Sequence, residues 1–127
     1  MPLVRISLRK GKPTVFGKQI GAIVYQTMMD TINVPPHDNF QIISEHEADQ
    51  MIYDPEYLNI SRTDDIIFIQ ITLNEGRSLE LKKTFYRTLA ERLHQELDLR
   101  MEDILINLVE VRKENWSFGN GIAQYAQ

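Results

Sequence analysis

Three residue types in this 127-residue chain stand where they could carry chemistry. Pro2 follows the initiator methionine and runs straight into an alternating apolar stretch, LVRISL. With Met1 removed it becomes a secondary amine fixed at the start of a strand. An α-amino group titrates near pH ~8, within reach of acid or base work at neutral pH after modest tuning. Arg77 follows Gly76 at the end of a second strand and just before a helix start. A guanidinium and free backbone N–H groups converge at such a place, which suits a carboxylate. Asp38 and Asp103 each precede a strand, where an aspartate can also simply close a turn; that simpler role fits Asp103 better.

The remaining polar residues point to less. His46 lies in SEHEAD without a third ligand nearby and reads as structural; His37 and His94 read as solvent-facing. No metal motif, phosphate loop or Ser-His-Asp order is present, so neither metal nor cofactor is expected. The absence of cysteine removes thiol, disulfide and zinc–thiolate chemistry. A net charge of -4 argues against nucleic acid as the main partner. The longest apolar run, IIFI, is too short to span a bilayer. The N-terminal apolar stretch is broken by Arg5, Arg9 and Lys10, so it does not read as a signal peptide; a cytoplasmic protein is expected.

The elements that must position these residues occur twice. Val4, Ile6 and Leu8 alternate with polar residues, and 66–73 (IIFIQITL) forms a second strand. Each strand runs into a glycine and a cation, RKGK and NEGR, and then a helix. The first helix spans roughly 14–33, with Ile20, Ile23, Val24, Thr27 and Met28 on one face, and stops before VPP. The second starts at an N-cap Ser78 and repeats Leu81, Phe85, Leu89 and Leu93, with Tyr86 and Leu97 beside them. Both lead to an aspartate and a third strand. Gly11 to Asp38 spans 27 positions, as does Gly76 to Asp103, so a displacement of 65 superposes the two units.

A duplicated β-α-β unit predicts an α/β fold: one domain over 1–127, with repeats at 2–46 and 66–111, a connector at 47–65 and a tail at 112–127. The four-stranded mixed sheet carries both helices on one face. The strands are apolar at both parities, as strands covered on two faces are, so the bare face is expected to meet other copies of the chain in a homo-oligomer. Asp54-Pro55 marks a turn in the connector. The tail holds the only tryptophan, Trp116, with Phe118 and Tyr125, and must pack on something.

The MP-strand-GK start, PPHDNFQIISEH, GRSLELKKTFYRTLAERL and the closing ENWSFGNGIAQY together resemble the tautomerase superfamily, most closely its malonate semialdehyde decarboxylase branch. The resemblance spans nearly the whole chain. It implies a homotrimer, catalysis by an N-terminal proline at Pro2, and roles for Asp38 and Arg77 as catalytic residues, Arg77 also binding a substrate carboxylate. It further implies that Trp116 and Phe118 form an apolar wall. That branch carries a second arginine two positions before the matched one, where this chain has Glu75. The expected activity is keto-enol tautomerisation of a small carboxylic acid. The alternatives are decarboxylation or hydration of a 3-oxo acid, or a non-catalytic trimeric interaction protein.

Overall fold

In a computed structural model that describes residues 1–126, four strands form one sheet in the order β2-β1-β3-β4. The strands are β1 (Leu3–Arg9), β2 (Phe40–His46), β3 (Ile67–Asn74) and β4 (Ile104–Val111). Helices α1 (Phe16–Thr31) and α2 (Leu79–Leu97) are the two crossovers. Each joins a parallel pair, and the two pairs meet antiparallel along β1 and β3.

The repeat read from sequence recurs as geometry. Leu3 pairs with Phe40 and Phe68 with Leu105, the same register displaced by 65. Gly11 and Gly76 hold φ of 122° and 121°, a left-handed turn that glycine enters without steric cost. At the centre of the sheet Arg5 pairs with Gln70, its own counterpart. The correspondence runs past the strands, because the 3-10 turns Ala48–Gln50 and Lys113–Asn115 also match.

α1 is shorter at both ends than the periodicity predicts. Pro13 to Val15 form an entry turn, and Val15 at the N-cap has no side chain to accept an N–H, so the helix begins at Phe16. α2 begins as predicted, with Ser78 accepting from Leu81 N at 3.2 Å. Both helices lie on one face of the sheet. Ile20, Val24 and Met28 of α1 and Phe85, Leu89 and Leu93 of α2 pack with Val4, Ile6, Ile69 and Ile71 into one core. Burying Phe85 completely is worth about 2 kcal/mol relative to exposure. α1 comes close to β2 because Gly21 has no side chain; its carbonyl accepts from Gln41 Nε2 at 2.8 Å.

The opposite face carries Arg5, Ser7, Phe68, Gln70, Leu105 and Asn107 around an open depression of about 520 Å³, crossed by a 3.0 Å hydrogen bond from Gln70 to Asn107. Phe40, Ile42, Leu105 and Val109 are exposed, so apolar surface remains uncovered in the single chain.

The connector is more ordered than a polar loop needs to be. Asp54 Oδ1 accepts from Glu56 N at 2.8 Å, which makes the predicted turn. Asp103, fully buried, accepts from Thr63 N at 2.7 Å and from Thr63 Oγ1 at 2.6 Å, and so fastens the connector to the foot of β4. Its contact with Arg100 at 3.3 Å adds little, since that side chain is 38% exposed. Asp103→Ala leaves the Thr63 donors unsatisfied and is expected to cost about 2 kcal/mol, read as a lower urea midpoint at unchanged slope. A midpoint unmoved from the parent's would contradict that role.

Candidate functional site

Parallel pairing of β1 with β2 sets the N-terminus beside the loop that leads into β2. Asp38 lies two residues before Phe40, and its Oδ2 stands 3.6 Å from the Met1 amine. Neither side chain is open, at 8% exposure for Met1 and 11% for Asp38. Asp38 Oδ1 is buried and has no hydrogen-bond partner among the described residues. Pro2 is buried immediately behind, at the entry to β1.

Arg77 arrives from the other unit, just after the left-handed Gly76. Its Nε donates to Ile32 O at 2.6 Å and its Nη1 to Asn74 O at 3.1 Å. Two backbone carbonyls thus aim the guanidinium, and no carboxylate among the described residues forms an ion pair with it. Burial lowers the Arg77 pKa from its usual value, opposed by the charges of Glu110 and Asp38. The tail closes the side. Trp116 Nε1 donates to Asn74 Oδ1 at 2.8 Å; the Phe118 ring stacks on Trp116 at 5.4 Å, and Tyr125 meets Phe118 edge-on at 4.9 Å. A cavity of about 200 Å³ results, lined by Met1, Pro2, Leu3, Phe40, Trp116, Ser117 and Phe118.

The structure therefore brings Pro2, Asp38, Arg77, Trp116 and Phe118 to one end of the sheet. Asp103 is elsewhere, in the structural role its turn position suggested. Glu75 is exposed, and its backbone N–H is spent on Val111 O at 2.9 Å. The charges that act on the amine are instead Asp38, Arg77 and Lys113. Of the histidines, His94 is exposed and meets the Leu99 carbonyl through Nδ1 at 2.8 Å, whereas His46 Nε2 is buried without a partner among the described residues. Sequence reasoning missed Asn74 and Lys113. Asn74 had one available signal, since a buried indole N–H needs an acceptor and Asn74 ends the neighbouring strand.

The amine of Met1 is pulled two ways. Burial is the largest influence and lowers its pKa below the usual 8.0; Asp38 raises it, while Arg77 and Lys113 lower it. The net direction is down, because removing an ammonium from water costs more than one nearby carboxylate returns. Among the described residues no group of three or more His, Asp or Glu is placed to hold a metal, and no helix is long and apolar enough to cross a membrane.

A family model described as tautomerase enzyme matches residues 38–119. The chain is 45% identical to a protein named probable tautomerase YusQ from Bacillus subtilis (strain 168), over 98% of each chain. It is 34% identical to probable tautomerase YrdN of the same organism, over 98% of this chain and 96% of that one. Among solved structures, malonate semialdehyde decarboxylase superposes with a TM-score of 0.89 at 27% identity, covering 97% of this chain and 95% of the other. A fused 4-OT symmetric trimer superposes with a TM-score of 0.79 at 19% identity over 98% of each chain, a likeness of fold alone.

Asp38→Asn removes the one influence that raises the amine pKa. In chain that keeps Met1, made by translation without methionine aminopeptidase, the pKa is expected to fall further in this variant. An ¹⁵N titration of the terminal amine reads it; a rise would mean that Asp38 does not act on the amine through its charge.

Proposed function

The chain belongs to the tautomerase superfamily and is a tautomerase-like enzyme, and from that premise we propose that Pro2, freed by removal of Met1, transfers a proton between carbon and oxygen of a small keto or enol carboxylic acid. The observation that carries this reading is the N-terminal amine 3.6 Å from Asp38 and within reach of the Arg77 charge, with Met1 and Pro2 lining an apolar-walled cavity. Pro2 is buried next to Met1, so loss of Met1 leaves a secondary amine one residue along the chain from the place where the Met1 nitrogen stands beside Asp38.

Arg77 holds the substrate carboxylate through the guanidinium N–H groups that its two backbone acceptors do not use. Trp116 and Phe118 keep water from that ion pair, which strengthens it. In ketonisation the enol oxygen loses a proton and a carbon gains one. The neutral amine of Pro2 accepts the hydroxyl proton, and the resulting ammonium delivers a proton to carbon, so Pro2 ends as it began. Asp38 orients the amine and stabilises the ammonium between the two transfers. Burial and the cations Arg77 and Lys113 outweigh Asp38 at the Met1 amine, and a Pro2 amine held in the same surroundings would be pushed the same way, toward the neutral form. That direction favours a base over a permanent cation.

Decarboxylation or hydration of a 3-oxo acid is the second reading, supported by the likeness to malonate semialdehyde decarboxylase. It calls for a cationic Pro2 that polarises a carbonyl, the form that the burial of this site disfavours.

The assembly proposed is a homotrimer. The exposed Phe40, Ile42, Leu105 and Val109 give the sheet face apolar area to bury, and the fused 4-OT neighbour is described as a trimer. Light scattering on eluting protein should return three times 14.9 kDa; a monomer at micromolar concentration would refute the trimer.

Pro2→Ala, with Met1 shown by mass spectrometry to be absent, is expected to lower kcat/KM for phenylenolpyruvate ketonisation about 100-fold or more. Arg77→Ala should raise KM about 10- to 100-fold. For a neutral-amine base, kcat/KM rises with pH through the amine pKa and then levels. Arg77→Ala removes a cation that lowers that pKa, so the rising limb moves to higher pH; Asp38→Asn moves it to lower pH. A limb that falls with rising pH in the parent enzyme would support the cationic role instead.

A further inference from the structure

We infer that Lys82 keeps Arg77 available to a substrate carboxylate by holding a competing carboxylate, that of Glu110, away from it. Lys82 is thereby a positioning residue, and the inference rests on the carboxylate-binding role given to Arg77 above.

Strand pairing brings the three groups to one corner. Glu110 lies opposite Leu73 in the parallel register of β3 and β4. Leu73 is buried in the core beneath the helices, and paired residues point to the same face, so Glu110 meets the first turn of α2. There Lys82 Nζ stands 2.7 Å from Glu110 Oε1. The turn that carries Arg77 is fastened to the same end of β4, because Glu75 N donates to Val111 O at 2.9 Å. The Gly76 N–H also stabilises the Glu110 carboxylate, so Glu110 lies against the turn that presents the guanidinium.

Arg77 is half-buried, with Nε and Nη1 donating to Ile32 O and Asn74 O and Nη2 without a partner among the described residues. A guanidinium with donors to spare attracts any carboxylate that reaches it. Two act on it by charge, Glu110 ahead of Asp38. Asp38 faces the N-terminal amine at 3.6 Å, which leaves Glu110 as the competitor. The hydrogen bond from Lys82 is the largest influence on Glu110, well placed to decide where that side chain goes. The first unit has the same glutamate at the same register, Glu45 opposite Leu8, but Gly17 stands where Lys82 does. Lys12, the counterpart of Arg77, is already paired with Asp65 at 3.3 Å. The lysine thus belongs only to the unit whose cation has no ion pair among the described residues.

Lys82→Met removes the charge and keeps an unbranched apolar stem. In Met1-free protein it is expected to raise KM for phenylenolpyruvate ketonisation about fivefold at unchanged kcat, the scale of an ion pair whose side chains are 20% and 35% exposed. Adding Glu110→Gln should return KM to the parent value. A KM that stays high in the double variant would mean that Lys82 serves the substrate or the fold directly, and would overturn the inference. A second readout needs no substrate. In a ¹³C titration of the Glu110 carboxyl, Arg77→Ala is expected to raise the pKa more in the Lys82→Met background than in the parent, because there Arg77 has become the partner. An equal rise in both backgrounds would show that Glu110 does not pass to Arg77, which also overturns the inference. If the carboxyl does pass to Arg77 while KM stays at the parent value, the role of Lys82 stands and the carboxylate-binding role of Arg77 falls.

Discussion

The pairing of β1 between β2 and β3 is the constraint from which the rest of the molecule follows. β1 is central and parallel to β2, so its first residue must lie opposite Phe40, and the residues before it must lie beside Asp38. The same strand is antiparallel to β3, so the end of β3, with Asn74 and then Arg77, returns to that corner. Side chains of Val4, Ile6 and Leu8 hold β1 in the core, and sliding it by one residue would turn all three outward. The N-terminal amine is therefore placed by a buried strand rather than by a loop. That rigidity suits the proton-transfer role proposed for it.

Duplication supplied the frame twice, and the two copies differ in electrostatics rather than geometry. Asp38 and Asp103 occupy equivalent places and close equivalent turns, with their backbone N–H groups bound to Pro35 O and Arg100 O. Asp103 is satisfied by Thr63 and holds a connector in place. Asp38 keeps one oxygen without a partner among the described residues and turns the other toward the amine. Lys12 and Arg77 diverge in the same way: Lys12 meets Asp65, whereas Arg77 is aimed by two backbone carbonyls. In each case one copy meets an oppositely charged or hydrogen-bonding side chain within the chain, while the other stands near the N-terminal amine.

The apolar tail links the copies. Trp116 anchors to Asn74, so the wall of the cavity is tied to the strand that also presents Arg77. A wall and a cation held by one strand end keep a fixed relation to each other, and both bear on the protonation of the amine. Burial and the charge of Arg77 push its pKa down together, against Asp38.

Much of this was legible in the residues. Strand alternation, the 27-position spacing from glycine to aspartate and the helix faces determined a duplicated β-α-β sheet, because side-chain period and burial are local properties of sequence. The quoted motifs also singled out Pro2, Asp38, Arg77, Trp116 and Phe118. Which aspartate faces the amine, and that Lys113 rather than Glu75 acts on it by charge, was decided only by tertiary structure. Those outcomes depend on which segments a carboxylate or ammonium meets across the sheet, and no local spacing encodes that. The direction of the amine's pKa belongs there too, since it is the balance of burial against three charges drawn from distant parts of the chain.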